Sequence, residues 1–319
     1  MGKSAKNSGA LPFIERESFG KRLVRNYKEH KIYYWLAVPI IAYYIIFHYL
    51  PMFGVVIAFQ NYRPAKGLLG SSWVGLKHFK AFFDSIYAGR LIKNTLMINL
   101  LLLLFSFPAP IILALLLNEV KAKHFKKTVQ TISYMPHFIS MVVICGLLVD
   151  FCSSTGIITS ITTLFGAQRD NLLNRPELFR TIYVSSDIWQ SIGWGSIIYL
   201  ATLSGTDPSL YEAAAIDGAG RFQQVIHVTL PTLVPLIMLQ LIMRMGQMMN
   251  VGYEKIILLS NGLTYETADV ISSYVYRKGL QTGDFSFGVA VSLFNSACNI
   301  VLLVLANTLS GKLTHESMW

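Results

Sequence analysis

Long apolar runs alternate with short polar segments along most of the chain. A helix needs about 20 mostly apolar residues to cross roughly 30 Å of hydrocarbon. Six runs meet this requirement, near 34–58, 94–117, 130–151, 181–203, 230–252 and 286–308. The pattern therefore predicts an all-α polytopic membrane protein with six transmembrane helices. Hydropathy indicates the fourth and fifth spans less strongly, because they carry Asp187, Gln190, Gln240, Arg244 and Gln247.

Composition supports a membrane protein over a soluble one. Of the 319 residues, 53% are hydrophobic and only 14% are charged, whereas soluble domains average about 25% charged residues. Three cysteines, Cys145, Cys152 and Cys298, lie in or beside apolar runs without a paired CxxC spacing. We therefore expect neither a disulfide framework nor a structural metal site.

The distribution of charge predicts the topology. The net charge is +10, and basic residues are concentrated in the N-terminal tail and in the connection at 121–127. Lys and Arg flank spans on the cytoplasmic side, so both segments, the 204–229 loop and both termini are predicted to be cytoplasmic. The segments near 59–93, 152–180 and 253–285 are predicted to be external and are polar and turn-rich. The external loop at 59–93 is also basic, which weakens the charge difference between the two sides. We assign 1–33 as a basic tail, 34–308 as the membrane domain and 309–319 as a C-terminal tail.

The basic tail also bears on possible partners. Its basic residues are not interleaved with aromatic patches, so the charge does not indicate nucleic-acid binding. Residues 16–31 are compatible with a surface helix on anionic lipid, as well as with a simple orientation signal.

The 204–229 loop is predicted to form a short helix-turn-helix. Asp207 is a suitable N-cap, and Pro208 suits the first helical position. The Ala-rich stretch 211–217 favours helix, and Gly218 and Gly220 permit a sharp turn before a second helix.

The composition of this loop favours docking of a partner protein. Ala213, Ala214 and Ala215 let another surface approach closely, and Glu212 and Asp217 offer acceptors to basic groups. The alternative is an ordinary amphipathic connector between two spans.

The spacing of Glu212-Ala213-Ala214, Gly218 and Leu230-Pro231 resembles the EAA loop of the permeases of ATP-binding-cassette (ABC) importers. In that family the loop inserts into a cleft on the ATPase subunit and transmits its movement. The resemblance implies ABC ATPase partners that carry ATP and magnesium, with no cofactor on this chain. It assigns ATPase docking to Glu212, Ala213, Ala214, Asp217, Gly218 and Gly220.

Further motifs are similar to permeases for complex oligosaccharides, of the lipo-oligosaccharide or aldouronate type. They are Tyr49–Gly54, Ile57–Phe59, Gly70–Leu76, Met135–Ser140, Ala268–Ile271 and Tyr274–Leu280. The resemblance implies a type I permease fold in a bacterial cell membrane and an oligosaccharide substrate, acidic or neutral. It also implies an extracytoplasmic solute-binding protein and a second permease in a heterodimer.

No motif indicates catalysis. The chain has no GxxxxGK[ST] phosphate-binding loop, no HExxH and no GxSxG, and its histidines lack ligand spacing. We therefore expect a non-catalytic subunit whose ATP is hydrolysed by its partners. The rival interpretation is a self-sufficient secondary transporter or channel for a polar solute. Many secondary transporters contain inverted repeats, and the absence of an apparent repeat in this sequence argues against that interpretation.

Polar residues inside predicted spans indicate a substrate pathway, since such groups face a bundle interior or a wet cavity. Asp187, Gln190, Ser191 and Trp194 recur at helical spacing in span four, and hydrogen-bonding groups beside an indole suit a sugar. Alternatively, they lie at the membrane interface and bond to other helices.

A second set of polar residues belongs to spans five and six: Arg244, Gln247, Asn250 and Asn295. Arg244 either contacts a uronate carboxylate or pairs structurally with Asp187 or Asp150. Asn295 and Asn299 either line the same channel or hydrogen-bond between helices.

Overall fold

The fold is taken from a computed structural model that describes residues 19–314. Lys3, Lys6 and Arg16 of the predicted basic tail lie outside the described residues, as do 315–319 of the predicted C-terminal tail. The described chain forms two compact units, which divide after Gly54.

The first unit contains helix α1, Phe19–Tyr44, a wider π-helical turn at Ile45–Tyr49 and the short helix α2, Leu50–Met52. Non-helical angles at His30 (φ −118°, ψ 21°) kink α1. The basic stretch and the first apolar run therefore share one helix. From Tyr27 onward its large apolar side chains are exposed, with Trp35 69% exposed, as suits a helix whose surroundings are lipid or another protein.

The second unit begins with a 3₁₀ turn that continues to Phe59 and a two-residue antiparallel hairpin, β1 (Gln60–Asn61) with β2 (Ser72–Trp73). The remaining structure is helical. Helices α3 to α9 are Gly67–Gly70, Lys77–Phe83, Ala88–Leu101, Pro108–Glu119, Lys123–Tyr134, Met141–Cys152 and Ile157–Leu164. Helices α10 to α17 are Pro176–Ser204, Pro208–Ile216, Arg221–Gln224, Leu230–Met245, Tyr253–Leu259, Tyr265–Ala268, Ile271–Val275 and Phe285–Thr314.

Within residues 19–314, five helical stretches are long and apolar enough to cross a membrane: Asn26–Phe59, Ala88–Glu119, Met141–Leu164, Arg221–Met245 and Phe285–Lys312. The fourth predicted span corresponds to α10, which has 29 residues and is therefore about 43 Å long. Helix α10 is long enough to cross a membrane, but its polar residues make it less apolar than those five stretches. The all-α membrane fold is confirmed.

The third predicted span, 130–151, is not one continuous helix. Helix α7 ends at Tyr134, a 3₁₀ turn covers Met135–Phe138, and α8 starts at Met141. Pro136 cannot donate a backbone hydrogen bond. Ser140 then caps α8 by accepting a hydrogen bond from the Val143 N–H (3.4 Å).

Prolines shape three of the long helical stretches. The π-helical turns Ile45–Tyr49, Leu102–Ser106 and Val225–Thr229 each end two residues before a proline, at Pro51, Pro108 and Pro231. A wider turn accommodates a proline ring that would collide with the preceding helical carbonyl.

Helix α10 packs against α6, α7, α13 and α15. Two glycines allow this packing. A Cβ at Gly193 would overlap the backbone carbonyl of Ser133 in α7, and a Cβ at Gly195 would lie 2.9 Å from Cγ of Pro110 in α6. Small residues let membrane helices approach to backbone contact.

The segment 253–285, predicted to be polar and turn-rich, instead forms α14 to α16 and packs against α5 and α10. Asp269 is 2% exposed, and both of its carboxylate oxygens accept hydrogen bonds of 2.7 Å from Arg277. Asn94 of α5 donates to the Asp269 carbonyl (2.9 Å) and accepts from Arg180 of α10 (2.8 Å). These bonds satisfy charges that burial would otherwise make costly.

Candidate functional site

A cavity of about 830 Å³ lies between α10, α13 and the turn that leads into α6. Its polar and aromatic lining includes Ser106, Asp187, Ser191, Trp194, Arg244 and Gln247. The structure therefore brings together five of the eight predicted pathway residues, and it adds Ser106. The volume lies within the range of about 300–1,000 Å³ that is usual for small-ligand sites.

Asp187 is held by hydrogen bonds at one end of this lining. Ser106 Oγ donates to Asp187 Oδ2 (2.6 Å), and Ser191 Oγ donates to the Asp187 carbonyl (2.7 Å). The first bond crosses from the π-helical turn to α10, so the carboxylate has a fixed position on the cavity wall.

Trp194 is positioned by the break between α7 and α8. The ring of His137 stacks on the indole at 4.5 Å and 3°, and Phe138 meets it edge-on at 5.6 Å. The indole itself is 46% exposed. Aromatic contacts of this kind fix a ring while leaving one face open, so Trp194 offers an apolar platform to a ligand.

Arg244 lies in the last turn of α13 and is half-buried. Among the residues that the structure describes, no ion pair within 4.0 Å or hydrogen bond involves its guanidinium. The structural pair with Asp187 or Asp150 is therefore not formed. The guanidinium is available to an anion in the cavity.

Three predicted pathway residues, Gln190, Asn250 and Asn295, are not part of the cavity lining. Asn295 Oδ1 is buried in α17 and has no hydrogen-bond partner in the part of the chain that the structure describes. Asn299 accepts a hydrogen bond (2.9 Å) from the N–H of Met249, which lies in the turn after α13.

Lys255 is a buried cation that the sequence analysis missed. It is 3% exposed, donates to the Tyr183 carbonyl (3.2 Å) and lies over the Tyr183 ring at 4.6 Å. Burial lowers the pKa of Lys255, and nearby Asp187 opposes that shift. Lys255 follows Glu254 and begins the apolar run Ile256–Leu259, which was the available signal, but this segment was assigned to an external loop.

The 204–229 loop has the predicted helix-turn-helix structure. Asp207 caps α11 by accepting from the Ser209 N–H (2.9 Å), and hydrogen bonds from Ser209 lower the pKa of Asp207. Gly218 (φ +80°) ends the helix, while the Ala219 N–H bonds to the Ala214 carbonyl (2.9 Å). Such a left-handed C-terminal glycine stops a helix sharply.

The outer surface of the loop is accessible. Within it, Glu212, Ala213, Asp217, Gly218 and Gly220 are exposed, and Ala214 is half-buried. Two large apolar side chains are also exposed, Ile216 at 87% and Phe222 at 76%. Exposed apolar groups flanked by charges are typical of a protein interface.

The loop is also fixed to the membrane domain. The Tyr211 hydroxyl and Thr229 Oγ1 are 3.1 Å apart, and Thr229 is buried just before α13. This contact links α11 to the start of α13, whose last turn carries Arg244.

Comparisons with known proteins identify relatives that cover more than nine tenths of the chain. Residues 106–315 match the family described as "Binding-protein-dependent transport system inner membrane component". The polygalacturonan/rhamnogalacturonan transport system permease protein YteP of Bacillus subtilis (strain 168) is 43% identical over 94% of each chain. Protein LplB of the same organism is 42% identical over 92% of each chain.

Two solved structures agree with this relationship. One, a bacterial ABC transporter involved in import of the acidic polysaccharide alginate, matches 92% of this chain and 99% of its own, with 44% identity and a TM-score of 0.85. The other is a bacterial alginate ABC transporter in complex with an alginate pentasaccharide-bound periplasmic protein. It matches 93% of this chain and 100% of its own, with 43% identity and a TM-score of 0.86. The resemblance found in the sequence is confirmed: the chain belongs to the family of binding-protein-dependent transport system inner membrane components.

Proposed function

We propose that this chain is the permease subunit of an ABC importer that carries an acidic oligosaccharide into a bacterial cytoplasm. The observation that carries the proposal is the cavity in which Arg244 makes no ion pair or hydrogen bond with the described residues and Trp194 is 46% exposed. Uronate residues combine a carboxylate with apolar C–H faces. A guanidinium binds carboxylates bidentately, and an indole accommodates the sugar face.

Two relatives support the class of substrate. YteP is described as a polygalacturonan/rhamnogalacturonan permease, and the similar solved transporter imports alginate. Both names refer to acidic polysaccharides. The shared fold and the identity of more than 40% make an acidic chain the substrate to test first.

The partners follow from the loop and from the family. The exposed surface of α11 fits a cleft on an ABC ATPase, which would hold ATP and magnesium. A second permease would complete the pathway as a heterodimer, and a solute-binding protein would deliver the sugar at the predicted outer face. In this proposal no chemical step is carried out by the chain itself.

Alternating access follows from this arrangement. ATP closes two ATPase subunits, α11 moves with them, and the Tyr211–Thr229 contact passes the movement to α13. Arg244 and α10 then open toward the cytoplasm. Orientation with both termini in the cytoplasm places the loop on the ATPase side.

Arg244→Met is expected to reduce uptake of an acidic oligosaccharide about 10- to 100-fold, because one charge-assisted contact contributes about 1.5–3 kcal/mol. Uptake of the carboxyl-reduced oligosaccharide of equal length should be unchanged. Arg244→Lys keeps the charge but not the bidentate geometry, so its uptake of the acidic oligosaccharide should lie between that of the parent and that of Arg244→Met. Arg169→Met, at an exposed arginine outside the cavity, is the matched control. Equal losses for both sugars would contradict a contact to the carboxylate.

The assembly is tested by purifying the tagged chain in mild detergent from its native membrane. We expect an ATPase and a second permease to co-purify, with ATPase activity in the complex. A chain that purifies alone, is stable and shows proton-driven uptake in liposomes would instead establish a self-sufficient transporter.

A further inference from the structure

A second polar pocket of about 400 Å³ lies between α6, α7 and α10. Its lining includes Asn118, Lys126, Gln130, Tyr134, Ile197 and Ser204. Ser204 ends α10, so the pocket is at the end of this helix that leads into the 204–229 loop.

The pocket adjoins the central cavity. Ile197 lines both, with the cavity toward Trp194 and the pocket toward Ser204. Residues 191, 194, 197, 201 and 204 recur at intervals of three or four and therefore share one face of α10. The distance from Trp194 to Ser204 along that face is about 15 Å. A substrate that moves along this face from the cavity must pass Ile197 and enter the pocket.

Ser204 Oγ donates to the Ala201 carbonyl (2.6 Å), but the other polar side chains of the pocket have no hydrogen-bond or ion-pair partner among the described residues. Asn118, Lys126, Gln130 and Tyr134 are half-buried, and their side chains make no hydrogen bond or ion pair within residues 19–314. Half-buried polar groups normally find partners in protein or water. Two amides, a phenol and an ammonium from two helices are a set that suits sugar hydroxyls and a carboxylate.

We propose that this pocket is an exit subsite, which holds an acidic sugar unit after it passes Ile197, with Lys126 as the contact to its carboxylate. The inference rests on the proposed function, since it requires an acidic oligosaccharide as substrate. Arg244 and Lys126 would then bind successive carboxylates of one chain during its release.

Binding is tested by thiol protection in the complete importer without nucleotide. Ala201→Cys places a thiol in the pocket, and Thr128→Cys places one on the exposed side of α7. The parent complex, with its three native cysteines, supplies the background. We expect an acidic oligosaccharide to slow maleimide labelling of Ala201→Cys about tenfold, but not that of Thr128→Cys. Equal labelling with and without sugar would overturn the proposal, as would protection by phospholipid headgroups alone.

The role of Lys126 is tested by transport. We expect Lys126→Met to lower uptake of the acidic oligosaccharide about 5- to 10-fold, with no change for its carboxyl-reduced form. Lys127→Met, at the exposed neighbouring position, should leave both rates unchanged. Equal losses in the Lys126 and Lys127 variants would indicate a general surface-charge effect and refute the subsite.

A parent complex that imports only neutral sugars would refute the proposed substrate class and, with it, this inference. A parent that imports acidic sugars while Lys126→Met behaves like the parent refutes the subsite alone. The two failures are therefore distinguishable.

Discussion

Glu212→Lys is expected to lower ATP-driven uptake at least 10-fold while the two permeases still assemble. Glu212 is exposed on α11 and makes no ion pair within the described residues, so the fold does not depend on its charge. A reversed charge at a desolvated interface costs about 2–5 kcal/mol, which is enough to detach or uncouple an ATPase. Co-purification of the ATPase and stimulation of its activity by the loaded binding protein are the measurements.

The matched control is Asp84→Lys, which makes the same change of charge at an exposed position outside the loop. It should retain both ATPase association and uptake. Normal uptake by Glu212→Lys, or an equal loss in both variants, would contradict a docking role for the loop.

Substitutions at Gly218 test whether coupling depends on the backbone geometry of the loop as well as on its surface charge. Its φ of +80° is tolerated by Asn better than by a β-branched residue. Gly218→Val should therefore uncouple transport as Glu212→Lys does, whereas Gly218→Asn should retain most of the activity. Similar behaviour of the two variants would show that the turn is not needed for coupling.

Gly193→Ala is expected to destabilise the permease by at least about 3 kcal/mol, the upper range for overpacked cores. The added methyl group would overlap backbone atoms of Ser133 and Tyr134, which cannot turn aside as a side chain can. Helices α7 and α10 would have to separate, which also disrupts the stacking of His137 on Trp194. Thermal inactivation of the detergent-purified complex measures the effect.

Two other glycines provide a graded comparison. Gly195→Ala meets only the ring of Pro110, at 2.9 Å, and should cost less than Gly193→Ala. Gly146→Ala in α8 meets nothing within 4 Å and should change stability by less than about 0.5 kcal/mol. Equal stability of all three variants would refute the close contact between α7 and α10.

Most of the membrane architecture follows from hydropathy, because each apolar run must cover the same thickness of lipid. The pattern was misleading where tertiary contacts compensate for polarity. Asp269 was assigned to an external, turn-rich segment. It is buried instead, with its carboxylate bonded to Arg277 and its carbonyl bonded to Asn94 of α5. Pro136 divided a span that hydropathy had treated as continuous.

Part of the candidate site was predictable from the spacing of polar residues within one span. Asp187, Ser191 and Trp194 share a helical face, so their common exposure to one cavity followed from spacing alone. The contribution of Arg244 from another helix depended on helix pairing, which a single sequence does not specify. The contributions of His137 and Lys255 were missed because their contacts, with Trp194 and Tyr183 respectively, join residues that are far apart in the sequence.

Transport by the reconstituted importer tests the central claim most directly. The chain, its partner permease and the ATPases are placed in liposomes with ATP and the solute-binding protein, and uptake of a labelled uronate oligosaccharide is compared with that of its carboxyl-reduced form. We expect ATP-dependent uptake that prefers the acidic sugar. Uptake that needs neither ATP nor the partner subunits would contradict the account.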